Sequence, residues 1–174
     1  MRCALRLDPG LRLWSYAAFA ALFATGAAWL VADPFKGSEN GEAWQAIAAT
    51  TLMLHGTIAM IALVLLGALI PLHVRRSWRA GKNRITGAVM VATNAVLMIT
   101  AAGLYYAGSD LLRTFVADVH IAVGLALPAL IVAHIMLGRR AATRGIAARA
   151  RYRPVEIGGL LRPITLSSED PGSR

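Results

Sequence analysis

Residues 44–76 read WQAIAATTLMLHGTIAMIALVLLGALIPLHVRR, an apolar run that carries no charged residue before Arg75 and holds two histidines, His55 and His73. As a helix rising about 1.5 Å per residue, Trp44 to Leu72 reaches about 43 Å, more than the roughly 30 Å of a hydrocarbon core, so it must tilt or protrude. Three further apolar runs accompany it. The first covers about 14–32 between Arg12 and Asp33-Pro34. It is longer than the usual apolar core of a signal peptide and lacks a convincing small-x-small cleavage site, so it reads as a retained span. The third covers about 85–107 and includes the interfacial pair Tyr105-Tyr106, followed by Gly108; the fourth covers about 111–138 and stops at Gly138-Arg139-Arg140. The expected fold class is all-α, a four-helix transmembrane bundle with helices near 14–32, 44–73, 85–107 and 111–138. An arm over 1–13 precedes it, and a basic tail over 139–174 follows, surface-lying or disordered after Arg153.

The charges segregate. The net charge is +9, yet of 18 Lys and Arg only Lys36 and Arg113 lie outside the N-terminal arm, the segment Arg75 to Arg84, and the tail after Leu137. Those two share their connections with Asp33, Glu39, Glu42, Asp110 and Asp118. Basic segments retained on one side of a bilayer are the positive-inside pattern, which places both termini in the cytoplasm and the chain in a bacterial inner membrane. Basic residues flanking apolar helices also meet anionic lipid headgroups, so the expected environment is the lipid bilayer, with no nucleic acid as partner. The single cysteine, Cys3, excludes an internal disulfide, C-x-x-C-H haem attachment, iron–sulfur ligation and cysteine zinc sites. It reads as an incidental or palmitoylated thiol.

All four histidines, His55, His73, His120 and His134, fall in the second and fourth apolar runs. A polar, titratable ring in a span is costly and marks function by default. With four spans the second and fourth run in the same direction, so His55 and His120 share one depth and His73 and His134 another. This arrangement suits two stacked haem sites, each iron taking an axial imidazole from either side of the porphyrin. His55 and His73 stand eighteen residues apart, five full turns, and share a helix face; His120 and His134 stand fourteen apart and differ by about 40°. The axial separations are about 27 Å and 21 Å. Tilt, a kink at Pro128 or loosening near Pro71 must absorb this mismatch; otherwise a single haem, held by His55 and His120, is expected.

Other residues have two readings. Pro71 and Pro128 each follow a glycine by four residues, Gly67 and Gly124, which either allows close helix packing or admits a flat cofactor to exposed backbone. His120 and His134 each have a glycine one turn later, Gly124 and Gly138, and Gly56 follows His55. Arg75, Arg76, Arg79 and Arg84 either set topology or pair with haem propionates. Asp118 reads as a carboxylate near a helix N-terminus, or as a proton-exchanging group. Asn94 and Thr93 either hydrogen-bond a neighbouring helix or meet a quinone. Met53, Met60, Met90, Met98 and Met136 read as core or lipid-facing fillers. Interhelical hydrogen bonding alone leaves the matched depths of four histidines unexplained, and a metal transporter would add carboxylates within the spans.

The stretches His55-Gly56 to Arg76, Thr100-Ala101-Ala102-Gly103-Leu104-Tyr105-Tyr106 and His120 to Gly138 resemble the small four-helix bacterial cytochromes b of the cytochrome b561 type. They are also similar to the membrane b-haem subunits of hydrogenases and formate dehydrogenases. The resemblance covers roughly residues 44–140. It implies noncovalent haem b, two per chain, held by His55 with His120 and His73 with His134. It further implies electron transfer between the quinone pool and a partner redox protein or larger membrane complex, as the electron-transfer subunit of an oxidoreductase system. The competing expectation is a non-haem membrane anchor or accessory subunit.

Overall fold

The computed structural model describes residues 8–81 and 83–151. Cys3, Lys82 and the tail beyond Arg151 lie outside the described residues. Helix α1 spans Pro9–Ala32 and starts earlier than the apolar run, because Asp8 caps it: Asp8 Oδ2 accepts from the Gly10 and Leu11 amides at 2.9 and 3.2 Å, and Pro9 occupies the first helical position. A 3-10 turn over Asp33–Gly37 follows α1. Gly41 closes this turn, since a Cβ there would lie 2.5 Å from the Lys36 carbonyl oxygen. Phe35 packs on Trp44, and Lys36 pairs with Asp33.

Helix α2 spans Gly41–Leu69 and passes into a five-residue π-turn, Ile70–Val74, and then into α3, Arg75–Arg79. The helix expected to end near residue 73 thus continues, and the chain stays helical to Arg79. Pro71 has no amide hydrogen to give the carbonyl four residues back, so the chain widens, and the Arg75 amide donates to the Ile70 carbonyl instead. After a turn in which Gly81 and Asn83 take positive φ, α4 spans Arg84–Tyr106.

Helix α5 spans Asp110–Arg151, with Pro128 inside it. It continues well beyond the expected stop at Gly138-Arg139-Arg140. The apolar run does end there, but the Ala- and Arg-rich continuation favours helix by intrinsic propensity. Asp110, rather than Asp118, occupies its first turn, so the reading of Asp118 as a helix N-terminal carboxylate does not hold; Asp118 is exposed two turns further on.

Four helical segments, Pro9–Gly37, Gly41–Arg79, Arg84–Tyr106 and Asp110–Ala141, are long and apolar enough to cross a bilayer. The chain is an all-α, multi-pass membrane protein, without strands among the described residues. Its packing is the reverse of a water-soluble core. The buried positions are mostly small, namely Ser15, Ala18, Ala32, Ala48, Ala62, Thr100 and Ala107 with Leu127, whereas Met53, Met60, Val64, Ile85 and Ile99 point outward. In lipid, burying large apolar groups against one another brings little advantage, while small residues let helix backbones approach. Met53, Met60, Met98 and Met136 are accordingly exposed, and Met90 is half-buried.

Two hairpins result. Helix α1 packs along α2, and α4 along α5. Gly103 lies in the second interface, where a Cβ would approach Val116 Cγ1 to 3.0 Å. Replacing Gly103 with Leu should therefore destabilise the protein by about 1–3 kcal/mol through overpacking, whereas Ile99→Leu on the lipid face should be nearly neutral. Thermal unfolding in detergent checks this contrast; equal melting shifts for both variants would contradict the packing described.

Candidate functional site

The hairpins meet chiefly where α1 touches α5, and the backbones of α2 and α5 stand apart. Four half-buried imidazoles project into that separation: His55 from α2, His73 from the π-turn, and His120 and His134 from α5. His55 pairs with His120, ring centroids 6.4 Å apart and planes at 78°. His73 pairs with His134, again at 6.4 Å, with planes at 82°. The depth pairing read from the sequence is the one the fold brings together.

The π-turn accounts for part of the spacing mismatch between the two helices. A turn closed from i to i+5 carries one residue more than an α-turn for about the same advance, so the eighteen residues from His55 to His73 rise like about seventeen. Loosening near Pro71 was one of the expected remedies. The π-turn also rotates His73 off the face it would occupy on an uninterrupted α-helix.

Three threonines fix the imidazoles. Thr25 Oγ1 lies 3.0 Å from His55 Nδ1, Thr100 Oγ1 2.9 Å from His120 Nδ1, and Thr86 Oγ1 3.0 Å from His134 Nδ1. A hydroxyl has one proton. Thr25 donates its proton to the Ala21 carbonyl at 2.8 Å, Thr100 to the Val96 carbonyl at 2.8 Å, and Thr86 to the Asn83 carbonyl at 3.3 Å. Each oxygen is then left to accept, so each histidine donates from Nδ1–H and keeps Nε2 as an unprotonated nitrogen with a free lone pair. This is the tautomer a metal-ligating imidazole adopts when a neighbouring group orients it. No such partner to His73 Nδ1 is found among the described residues.

Small residues border the rings. A Cβ on Gly26 would stand 3.3 Å from His55 Cε1, so this glycine lets α1 close onto the histidine. Gly56 lies beneath the Tyr105 hydroxyl, 3.8 Å from where its Cβ would be, and the corresponding point on Gly124 is 4.0 Å from Leu97 Cδ2. Gly67, by contrast, has no atom within 4 Å of that point, so close helix packing does not explain it. Asn94 Nδ2 donates to the Met90 carbonyl at 2.8 Å, which directs that amide to its own helix rather than to a neighbour.

Of the four arginines around the basic turn, Arg75, Arg76 and Arg79 line an open cavity of about 210 Å³ with Pro71, adjoining His73 in the chain. Arg84 is engaged elsewhere: its Nε donates to the Trp78 carbonyl at 3.0 Å and its guanidinium lies over the Trp78 ring. Among the described residues no group of three or more His, Cys, Asp or Glu gathers into a metal-binding cluster. Each histidine pair thus offers two donors, one or two too few for a zinc centre built from protein ligands.

The sequence reading assigned no role to Thr25, Thr86, Thr100 or Gly26. A hydroxyl in an apolar span was the available signal, but Thr51 and Thr57 carry the same signal and bond only to carbonyls of their own helix. No family model, curated protein or solved structure matches the chain.

The threonine arrangement has a spectroscopic consequence. In protein without a bound ligand, at a pH well above the ordinary imidazole value of about 6.5, nitrogen-15 NMR should show His55, His120 and His134 protonated at Nδ1. Protonation at Nε2 in these three would refute the hydrogen-bond assignment.

Proposed function

We propose that the chain is a membrane electron-transfer protein holding two b-type haems, one between His55 and His120 and one between His73 and His134. The supporting observation is the ring spacing. Two imidazole nitrogens that shared one metal at about 2.0 Å each, with a ring radius of about 1.15 Å, would set the centroids roughly 6.3 Å apart. Both pairs stand at 6.4 Å. A direct hydrogen bond between two imidazoles at about 2.9 Å would draw the centroids roughly an ångström closer.

In the first pair, moreover, both rings have committed their Nδ1 protons to threonine. Two unprotonated nitrogens repel one another unless an electron-accepting centre lies between them. Two donors are also the number a porphyrin iron needs, since the macrocycle supplies the other four nitrogens.

Haem held this way supplies reversible one-electron chemistry at iron. The chain's own residues bind and orient. Thr25, Thr100 and Thr86 hold the ring tautomer, Gly26 lets α1 close on His55, and the outward-facing apolar side chains keep the site in lipid. Arg75, Arg76 and Arg79 adjoin His73 and are suited to haem propionates or anionic headgroups.

Purified full-length protein should be red, with a Soret band and a sharp α-band on reduction, and should contain two haems per chain. His55→Ala and His120→Ala should each remove the same haem, and His73→Ala and His134→Ala the other. The near-perpendicular ring planes predict strongly anisotropic low-spin ferric EPR signals. A colourless preparation made with ample haem supply would sink the cytochrome reading and favour a non-haem anchor or accessory subunit.

The charge segregation supports an orientation with both termini in the cytoplasm of a bacterial inner membrane. In a Cys3→Ser background, Ser109→Cys, in the connection between α4 and α5, should then react with a membrane-impermeant thiol reagent added from outside. Protection from outside with labelling in inverted vesicles would reverse the topology.

A further inference from the structure

The basic cavity at the end of α2 and the glycine at position 67 are not explained by the histidine pairs. We propose that together they bind one anionic phospholipid, its phosphate diester held by Arg75, Arg76 and Arg79 and an acyl chain laid over Gly67. This site rests on the membrane-spanning fold and not on haem.

Face separates the two roles open to these arginines. The cavity of about 210 Å³ is lined by Pro71, Arg75, Arg76 and Arg79, with neither His73 nor His134 among them and no described residue of α5. Residues two apart on a helical turn point to nearly opposite sides, in a π-turn as in an α-turn. Pro71 and Arg75 each stand two residues from His73. Pro71 and the three arginines are exposed, whereas His73 is half-buried. The cavity thus opens away from the histidines, toward lipid. Propionates of a group bound between His73 and His134 would have to round the helix to reach it.

The positive charge there is unanswered. Arg75 is the first charged residue after an apolar run that begins at Trp44, which sets it at the level of the lipid headgroups. Among the described residues the single ion pair joins Lys36 to Asp33, so none of the three guanidiniums meets a carboxylate. A guanidinium meets two phosphate oxygens with two parallel N–H donors, and α3 brings three of them to one cavity. Exposed Trp78, with the Arg84 guanidinium over its ring, is an interfacial aromatic on the same short helix.

The acyl chain has a place as well. Met60, Val64, Gly67 and Pro71 recur at helical spacing and form one face of α2 and the π-turn. Met60 and Val64 are exposed, and no atom lies within 4 Å of where a Cβ on Gly67 would stand. Gly67 leaves a notch in an apolar face, one helical turn from Pro71 and the arginine cavity. Free phosphate would use the arginines alone, whereas a phospholipid uses both features, which makes the lipid the occupant.

The experiment is native mass spectrometry of the detergent-solubilised full-length protein. It is titrated with phosphatidylglycerol, with phosphatidylcholine of the same acyl chains, and with inorganic phosphate. One phosphatidylglycerol should be retained in preference to phosphatidylcholine, and inorganic phosphate should not displace it. Arg75→Gln, Arg76→Gln and Arg79→Gln together should weaken its binding about a hundredfold, at about 1 kcal/mol for each basic residue near an anionic surface. Arg139→Gln with Arg140→Gln, charges at the same end but outside the cavity, should leave it unchanged. Gly67→Leu should weaken it without altering charge. Should the triple variant fail to insert, the preference of the wild type and the Gly67→Leu result still decide. Equal retention of both lipids, displacement by inorganic phosphate, or an unaffected Gly67→Leu overturns the proposal. So does a triple variant that keeps the lipid and loses haem absorbance, because the arginines then serve propionates. A colourless protein that keeps the lipid preference sinks the haem reading and supports this site.

Discussion

Imidazoles held inside apolar helices must have their polar atoms satisfied, and most of this architecture follows from how that is done. A ring nitrogen left without a partner in hydrocarbon costs several kcal/mol. At His55, His120 and His134 a threonine one helix away accepts a hydrogen bond from Nδ1–H, and that threonine in turn depends on a carbonyl of its own helix to fix its hydroxyl. The chain of donors ends at Nε2, an unprotonated nitrogen in a separation between helices. At these three histidines the site is thus defined by the lone pair left over after Nδ1 has been satisfied. Helices α1 and α4, which carry no histidine, contribute to the site through these threonines.

The same constraint explains the division into two hairpins. Small residues bring α1 onto α2 and α4 onto α5, and Gly26 and Gly103 remove the Cβ atoms that would obstruct the histidine or the neighbouring helix. Between α2 and α5 no such close approach occurs. The rings stand 6.4 Å apart at both depths. Dense packing within each hairpin, with a bridged gap between them, suits a bundle that holds a flat group along its axis rather than a solid side-chain core. Large apolar side chains face outward, where lipid replaces a core.

The second site is built with less redundancy. Its α2-side histidine, His73, sits on a π-turn that arises because Pro71 lacks an amide hydrogen. Such turns occur often at functional positions, since a single extra residue re-aims the side chains that follow it. Here the re-aiming brings His73 to His134 despite a sequence spacing unlike that between His120 and His134. Arg75 then supplies the amide that closes the wide turn, so one basic residue serves both the backbone and the charged rim of the cavity.

Hydropathy determined the four spans, the all-α class and the two levels of histidine, because transfer into lipid and helical rise are local properties readable residue by residue. Sequence also carried Pro71 as a point of loosening, since a missing amide hydrogen is intrinsic to the residue. It did not carry the continuation of α5 to Arg151, where the apolar signal ends but helix propensity does not, nor the helical state of Arg75–Arg79. The threonine partners were beyond its reach. Thr25 lies thirty residues from His55, Thr86 forty-eight from His134, and nothing local separates them from Thr51 or Thr57. Only the packing of α1 on α2 and of α4 on α5 decides which hydroxyl meets which ring. That in turn selects the nitrogen left free, because a tautomer is a property of a contact and not of a residue.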